Sequence, residues 1–383
     1  MNSVPTYRVP FNRATKAPLA AQYVAEVLES GMIAGDGVYT KRCSKFLEKQ
    51  FQVPSVMLTT SCTSALEMSA LLLEIAPGDE FVVPSFTFSS TAAAFTRQGA
   101  TPVFADIRRD TLNLDERQLP SLITERTKAV IVVHYAGVGC EMSEILAICK
   151  AAGIPVVEDN AHGLYGKYRG RWLGTFGELA TQSFHETKNF TCGEGGALLI
   201  NDPSFIERSE IIREKGTDRT KFRRGQVDKY TWVDAGSSFL PSEVLAAMLW
   251  AQLEEASVIQ SKRQGIWDTY YRELREWARA HDVELPHVPA DCEQAYHMFY
   301  MLCPTVVFRT RLIRHLAKSG ILAVSHYEPL SRSPFGIRLG GAVGMCPISE
   351  DVSERLLRLP FYTDMANWDL ATVTSCVQGY SEI

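Results

Sequence analysis

Ala129-Val130-Ile131-Val132-Val133 is an unbroken apolar run, β-branched after its first residue. A strand with one wet face alternates apolar and polar residues. A run without alternation predicts a strand covered on both faces, as in a parallel sheet held between helices. Outward from it, short strand candidates recur at Glu80–Val83, Pro102–Ala105, Pro155–Glu158, Ala180–Phe184 and Ala197–Ile200, with one more at Ser55–Leu58. Amphipathic stretches separate them. The clearest begins at Thr63, puts Leu66, Ala70 and Leu73 on one face, and stops at Pro77-Gly78-Asp79. Strands alternating with helices predict an α/β fold around a mostly parallel sheet. From about Glu243 long helical patterns take over, at Glu243–Glu255 and Ile259–Ala280, followed by the link Leu285-Pro286-His287-Val288-Pro289. The division expected is a large domain over residues 1–242, with an N-terminal arm, and a smaller C-terminal α/β domain over residues 243–383.

Composition narrows the class. The 383 residues are 46% hydrophobic and 22% charged, enough apolar material for a buried sheet. A net charge of -5 offers no general field for nucleic acid or an anionic membrane, so an anionic ligand needs a local site. No stretch is apolar for long enough to span a bilayer, and the N-terminus has no apolar signal core. The nine cysteines are scattered with no CxxC pair, which argues against a zinc or redox motif and fits reduced thiols in a cytoplasmic protein.

Four local features could together hold an anionic aromatic cofactor. The first is the strand–turn–helix at Thr59–Leu66. Its Ser and Thr cluster stands where a helix N-terminus offers free N–H groups to a phosphate, although an ordinary cap by Ser61 or Thr63 explains it too. The second is Pro155-Val156-Val157-Glu158-Asp159, an apolar strand closed by an acidic pair. A carboxylate there can keep a pyridine nitrogen protonated, or can be a solvated loop acid. The third is Ser183-Phe184-His185-Glu186-Thr187-Lys188-Asn189. Here a lysine shortly after a buried strand could lose its proton and attack a carbonyl, or simply face water. No HExxH pattern surrounds His185 and Glu186, so no metal site is expected. The fourth, Gly193-Glu194-Gly195-Gly196, lacks the GK[ST] of a phosphate loop and reads as a tight turn into the next strand.

Taken in order, these features resemble one family. GDGVYTKRC, LTTSCTSALE, DEFVVPSFTFSSTA, VHYAGVGCEM, VVEDNAHG, SFHETKNFTCGEGG and HYEPL together resemble the DegT/DnrJ/EryC1/StrS sugar aminotransferases over nearly the whole chain. The resemblance implies the type I aspartate-aminotransferase fold, pyridoxal 5'-phosphate (PLP) as cofactor, and a homodimer with shared active sites. It implies Lys188 as the covalent attachment point, Asp159 at the pyridine nitrogen, and Phe88 stacked on the ring. His162 would lie beside the phenolic oxygen, and Ser183 with Cys62 and Thr63 would hold the phosphate. His326 and Tyr327 would lie near the substrate. Many members carry an Asn and an Arg in a GxNxR segment, the Asn reaching the neighbouring subunit's phosphate. Here Gly236-Ser237-Ser238-Phe239-Leu240 has Ser238 for the Asn and Leu240 for the Arg. Ser238 can still donate one hydrogen bond, but the donor-carboxylate contact must come from elsewhere.

FHETKN, REKGTDR and RGQVDKYTW resemble the members of this family that act on dTDP-linked sugars, and that resemblance implies amination at carbon 4 of a dTDP-linked 4-keto-6-deoxyhexose. L-glutamate is the expected donor and the galacto epimer the expected product, as in deoxysugar biosynthesis. The gluco epimer and carbon 3 remain alternatives, and a non-catalytic regulator on the same fold is a distant one. Residues 215–229 carry Lys215, Arg219, Lys221, Arg223, Arg224 and Lys229 against Asp218, Asp228 and the adjoining Glu214. That excess could meet a substrate diphosphate, with Arg219 and Lys229 as candidates, or could be a solvated basic loop.

Overall fold

The computed structural model describes residues 7–381. Its main sheet has seven strands: β1 (Ser55–Thr59), β2 (Glu80–Pro84), β3 (Thr101–Ala105), β4 (Thr127–Val133), β5 (Val156–Asp159), β6 (Leu179–Ser183) and β7 (Gly196–Ile200), in the order β1-β7-β6-β5-β4-β2-β3. The pairs β3/β2, β2/β4, β4/β5 and β5/β6 are parallel; β7 runs antiparallel to both β6 and β1. The apolar run of β4 behaves as its sequence demands. Ala129 and Ile131 belong to the core on one face, Val130 and Val132 to the core on the other. Helices Cys62–Leu72 and Ser89–Thr96 cover the first face, and Met142–Ala152 covers the second through Met142, Ile145 and Cys149.

Local capping fixes the elements that matter for the site. Ser61 caps the helix at Cys62 by accepting from the Ser64 amide at 3.0 Å. The helix Val38–Phe51 has only Gly37 at its N-cap, and a distant side chain does the work instead. The buried Glu243 carboxylate accepts from the amides of Gly37, Tyr39 and Thr40 at 3.0, 2.8 and 3.0 Å. An acid there also complements the positive helix end.

Glu243 opens the helix Glu243–Glu254, and its Ala246, Leu249 and Leu253 bury in the same core as the helix Val38–Phe51. The sequence boundary at 242/243 therefore precedes a helix that packs with the first body. The change of core falls inside the 25-residue helix Ala256–Ala280: Ile259 still packs with the first body, whereas Ile266, Tyr270 and Leu274 join a second core. A long amphipathic helix bridging two cores leaves no break in its own sequence. The second body pairs β8 (Tyr300–Leu302) with β9 (Leu356–Arg358) antiparallel, under the helices Val306–Lys318 and Asn367–Gln378. No helix among the described residues is long and apolar enough to cross a membrane.

Candidate active site

The carboxyl ends of β4, β5 and β6 open into a cleft of about 630 Å³, as expected for a sheet of this kind. Cys62, Thr63, Asp159, Ser183 and Lys188 line it from the large body. Phe88 and His162 line it as well, and His326 and Tyr327 close the opposite side.

Asp159 is the last residue of β5 and only 5% exposed. The Thr91 hydroxyl donates to its Oδ2 at 2.7 Å, and the Ala161 amide donates to Oδ1 at 3.2 Å. Thr91 has one proton to give, so the contact at 2.9 Å with Thr87 is made by the Thr87 hydroxyl donating to Thr91. Burial pushes the Asp159 carboxyl up despite these donors, so the site rewards a cation beside it. Its neighbour Glu158 points to the other face, because successive residues of a strand alternate. There it is fully buried and accepts from the amides of Gly174, Phe176 and Gly177 at 2.8, 2.6 and 2.8 Å, and meets His134 Nε2 at 2.8 Å. The acidic pair thus divides into one residue for the cleft and one for the scaffold.

Lys188 is half-buried, and burial lowers its ammonium to about 8, opposed by Cys62 and Asp159 and assisted by Arg358. The next residue, Asn189, donates to the Ala295 carbonyl at 2.7 Å, so its Oδ1 is free to accept from His297 Nδ1 at 2.9 Å. His297 stacks on His162 with ring centroids 4.2 Å apart. His162 Nε2 lies 3.3 Å from the Tyr327 hydroxyl, whereas its buried Nδ1 has no hydrogen-bond partner among the described residues. Burial holds both imidazoles well below their ordinary range, so they are neutral hydrogen-bonding groups. Tyr327 stacks on His326 at 3.6 Å, and His326 Nδ1 meets the Tyr135 hydroxyl at 2.6 Å. Phe88 is 58% exposed, with its ring 6.2 Å from that of Tyr327.

The residues present fit PLP. The helix starting at Cys62 presents first-turn amides that have no partner within a helix. The chain passes this turn so closely that a Cβ on Gly196 would lie 2.3 Å from the Ser61 carbonyl carbon. A buried carboxylate, a lysine amine and an orphaned imidazole nitrogen face the same space. That is the donor set for a pyridine nitrogen, an aldehyde and a ring oxygen.

Three expected residues lie outside this cleft. Ser238 is exposed and bridges to Glu214; Lys229 is exposed as well. Arg219 stands 3.6 Å from Glu214. The segment folds back on itself through a bridge between Thr217 and Trp232, which holds it away. Its expected charge excess is also largely paired: Arg224 with Glu210 at 2.6 Å, Arg223 with Asp36, Lys221 with Glu207, Lys215 with Glu214. Conversely, the sequence reading missed Thr91, Tyr135, His297 and Arg358. A charged residue inside Leu356-Leu357-Arg358-Leu359 was a signal for Arg358. His297 and Tyr135 carried none.

A lysine and a buried acid at the carboxyl ends of a mostly parallel sheet, with a second body closing the cleft, define a PLP-dependent aminotransferase of the type I fold. More narrowly, the chain belongs to the DegT/DnrJ/EryC1/StrS aminotransferase family, whose model matches residues 15–378. It is 33% identical over 325 residues to the uncharacterized protein MJ1066 of Methanocaldococcus jannaschii, covering 83% of each. It is 29% identical over 381 residues to GDP-perosamine synthase of Escherichia coli O157:H7, covering 99% of each. A sugar aminotransferase structure from Streptococcus pneumoniae in its PLP form superposes with a TM-score of 0.88 at 26% identity, covering 97% of this chain and 98% of that one. The same protein is known in its pyridoxamine-phosphate form. This protein is a PLP-dependent sugar aminotransferase.

Proposed function

We propose that the protein transfers the amino group of L-glutamate to carbon 4 of a nucleotide-linked 4-keto-6-deoxyhexose. The preferred substrate is dTDP-4-keto-6-deoxy-D-glucose, giving the galacto amino sugar and 2-oxoglutarate. The observation that carries the chemistry is the meeting of Lys188 and Asp159 in one cleft. The wording of FHETKN and RGQVDKYTW supports the sugar. The relative named for GDP-perosamine supports the nucleotide-linked class and makes a GDP-linked keto sugar the second reading.

PLP supplies an electron sink for the pair released when the donor loses its α-proton. Asp159 keeps a proton on the ring nitrogen. Lys188 would be the residue that holds the cofactor, and its amine, kept at about 8 by burial in the unloaded cleft, would take the proton from the donor α-carbon and pass it on. His162 hydrogen-bonds the ring oxygen, Phe88 covers the ring, and Ser183 with the Cys62–Thr63 turn holds the phosphate. The keto sugar then takes the same path in reverse, so the kinetics are ping-pong. Ser238, Arg219 and Lys229 serve the cleft of a second copy in a homodimer, which explains why they stand outside their own.

The test is to incubate the protein with PLP, L-glutamate and dTDP-4-keto-6-deoxy-D-glucose and to record the proton spectrum of the sugar. A small coupling between the protons at carbons 3 and 4 is expected. A large coupling assigns the gluco product. No amino sugar from this substrate, with amination of a GDP-linked 4-keto sugar, assigns the second reading. A Lys188→Ala protein turning over at a near-normal rate refutes the mechanism. Mixing Lys188→Ala with Arg219→Ala subunits should restore activity if sites are shared.

A further inference from the structure

We propose that Arg358 anchors the carboxylate of the amino donor. This deepens the reading of the cleft as an amino-transfer site and rests on it. The family pattern that supplies an arginine in the GxNxR segment is broken here by Leu240, so a donor site on this chain needs another cation.

Arg358 ends β9 on the second body and lines the cleft. Its backbone is fixed on both sides, by the register with Tyr300 and by amide exchange with Val324 at 2.7 and 3.1 Å. Its guanidinium lies over the ring of Phe11, 4.7 Å from the centroid. Yet the buried Nε has no hydrogen-bond partner, and no carboxylate pairs with the side chain among the described residues. The groups that oppose the burial of its charge are only the phenols of Tyr135 and Tyr327.

Arg263, which is fully buried, shows what a structural arginine looks like in this protein. It donates to the carbonyls of Tyr296 and His297 at 2.9 and 2.6 Å and to the Thr363 hydroxyl at 3.2 Å. Arg358 has no such set. A buried guanidinium Nε–H without an acceptor is costly, and cleft-facing placement lets a ligand remove that cost.

The missing ligand is an anion, and three are available to such an enzyme. The cofactor phosphate belongs with the Ser61–Thr63 turn and Ser183, on the large body. A substrate diphosphate is carried by a flexible, extended nucleotide. The donor α-carboxylate is planar and suits the two-pronged fork of an arginine. It must also sit one bond from the carbon whose proton Lys188 removes, and Arg358 is near enough to Lys188 to depress its ammonium. The second body thus grips the donor while the large body carries out the chemistry.

Single-turnover absorbance of the PLP-loaded protein with L-glutamate separates the apparent Kd from the limiting rate. Arg358→Gln is expected to raise that Kd about 100-fold, Arg358→Lys less, because a charged contact is lost or made single-pronged. Calorimetric binding of 2-oxoglutarate to the pyridoxamine form should weaken in parallel. The reverse half-reaction from the amino sugar should keep its Kd in both variants, which also shows that they fold. n-Butylamine, an amine without a carboxylate, should react equally slowly with wild type and variants. An unchanged glutamate Kd in Arg358→Gln overturns the proposal, as does a loss confined to the sugar nucleotide. Failure of the wild type itself to react with L-glutamate or other α-amino acids refutes the parent reading and this proposal with it.

Discussion

Replacing Lys188 by Met should stabilise the unloaded protein at pH 7. The lysine is held at about 8 instead of 10.5, its ordinary value, mainly by burial. At about 1.4 kcal/mol per decade this costs about 3 kcal/mol at any pH below 8. Lys188 is half-buried and lines the open cleft, and screening reduces the expectation to about 1–3 kcal/mol. The sign follows from the protons bound. Between pH 8 and 10.5 the unfolded chain keeps the lysine proton that the folded chain has lost, so wild-type stability rises with pH through this window. Methionine has no charge to bury and fills similar space. Its advantage should therefore be full at pH 7 and largely gone near pH 10. Guanidinium unfolding of both unloaded proteins at the two pH values, followed by tryptophan fluorescence, measures this difference; other titrating groups cancel between them. A Met variant no more stable than wild type at pH 7, or equally ahead at both pH values, would show that the cleft does not penalise the ammonium.

Asp159→Asn should still bind the cofactor but slow the glutamate half-reaction by about 100-fold or more, the size of a lost proton-holding group; a rate within about threefold of wild type would remove Asp159 from the ring nitrogen. Glu158→Ala should destabilise the fold by about 3 kcal/mol or more, because three buried amides and His134 lose their acceptor together. Hydrogen exchange should then quicken at Gly174, Phe176 and Gly177. Gly196→Ala must push the Ser61–Cys62 turn aside, at about 1–3 kcal/mol for such overpacking. A PLP titration should show the weakened turn as a loss of cofactor affinity, with L-glutamate affinity spared.

The main sheet could be read in the chain because its strands are buried on both faces, which leaves a long unbroken apolar run in β4 and short apolar stretches in most of the others, and each appears within a residue or two of its place. Asp159 and Lys188 could be read because chemistry at the ends of such strands is local: the strand itself aims the residue. The division of Glu158 from Asp159 follows from strand alternation but needs the sheet to say which face is the cleft. What could not be read depends on distant packing. His297 reaches the site through Asn189, over a hundred positions earlier, and Arg358 is placed by pairing with Tyr300. The change of core inside the helix Ala256–Ala280 is hidden from the sequence for the same reason. Nothing in Glu243 announces that its carboxylate caps a helix beginning at Val38.

The arm before the first helix has a consequence in time. Val9 exchanges backbone hydrogen bonds with Gly320 and Leu322, Phe11 accepts from the Phe361 amide, and Asn12 donates to the Glu186 carbonyl at 3.1 Å. Phe11 and Asn12 are walls of the cleft. On the ribosome these residues emerge some three hundred positions before their docking partners near 320 and 361. The large body can fold during synthesis, but this arm must wait for the second body to be made. A nascent chain stalled before residue 320 would thus carry the lysine and the acid in a pocket still missing a side, and a bulky fusion close to Tyr7 would handicap the final step of maturation more than the folding of either body.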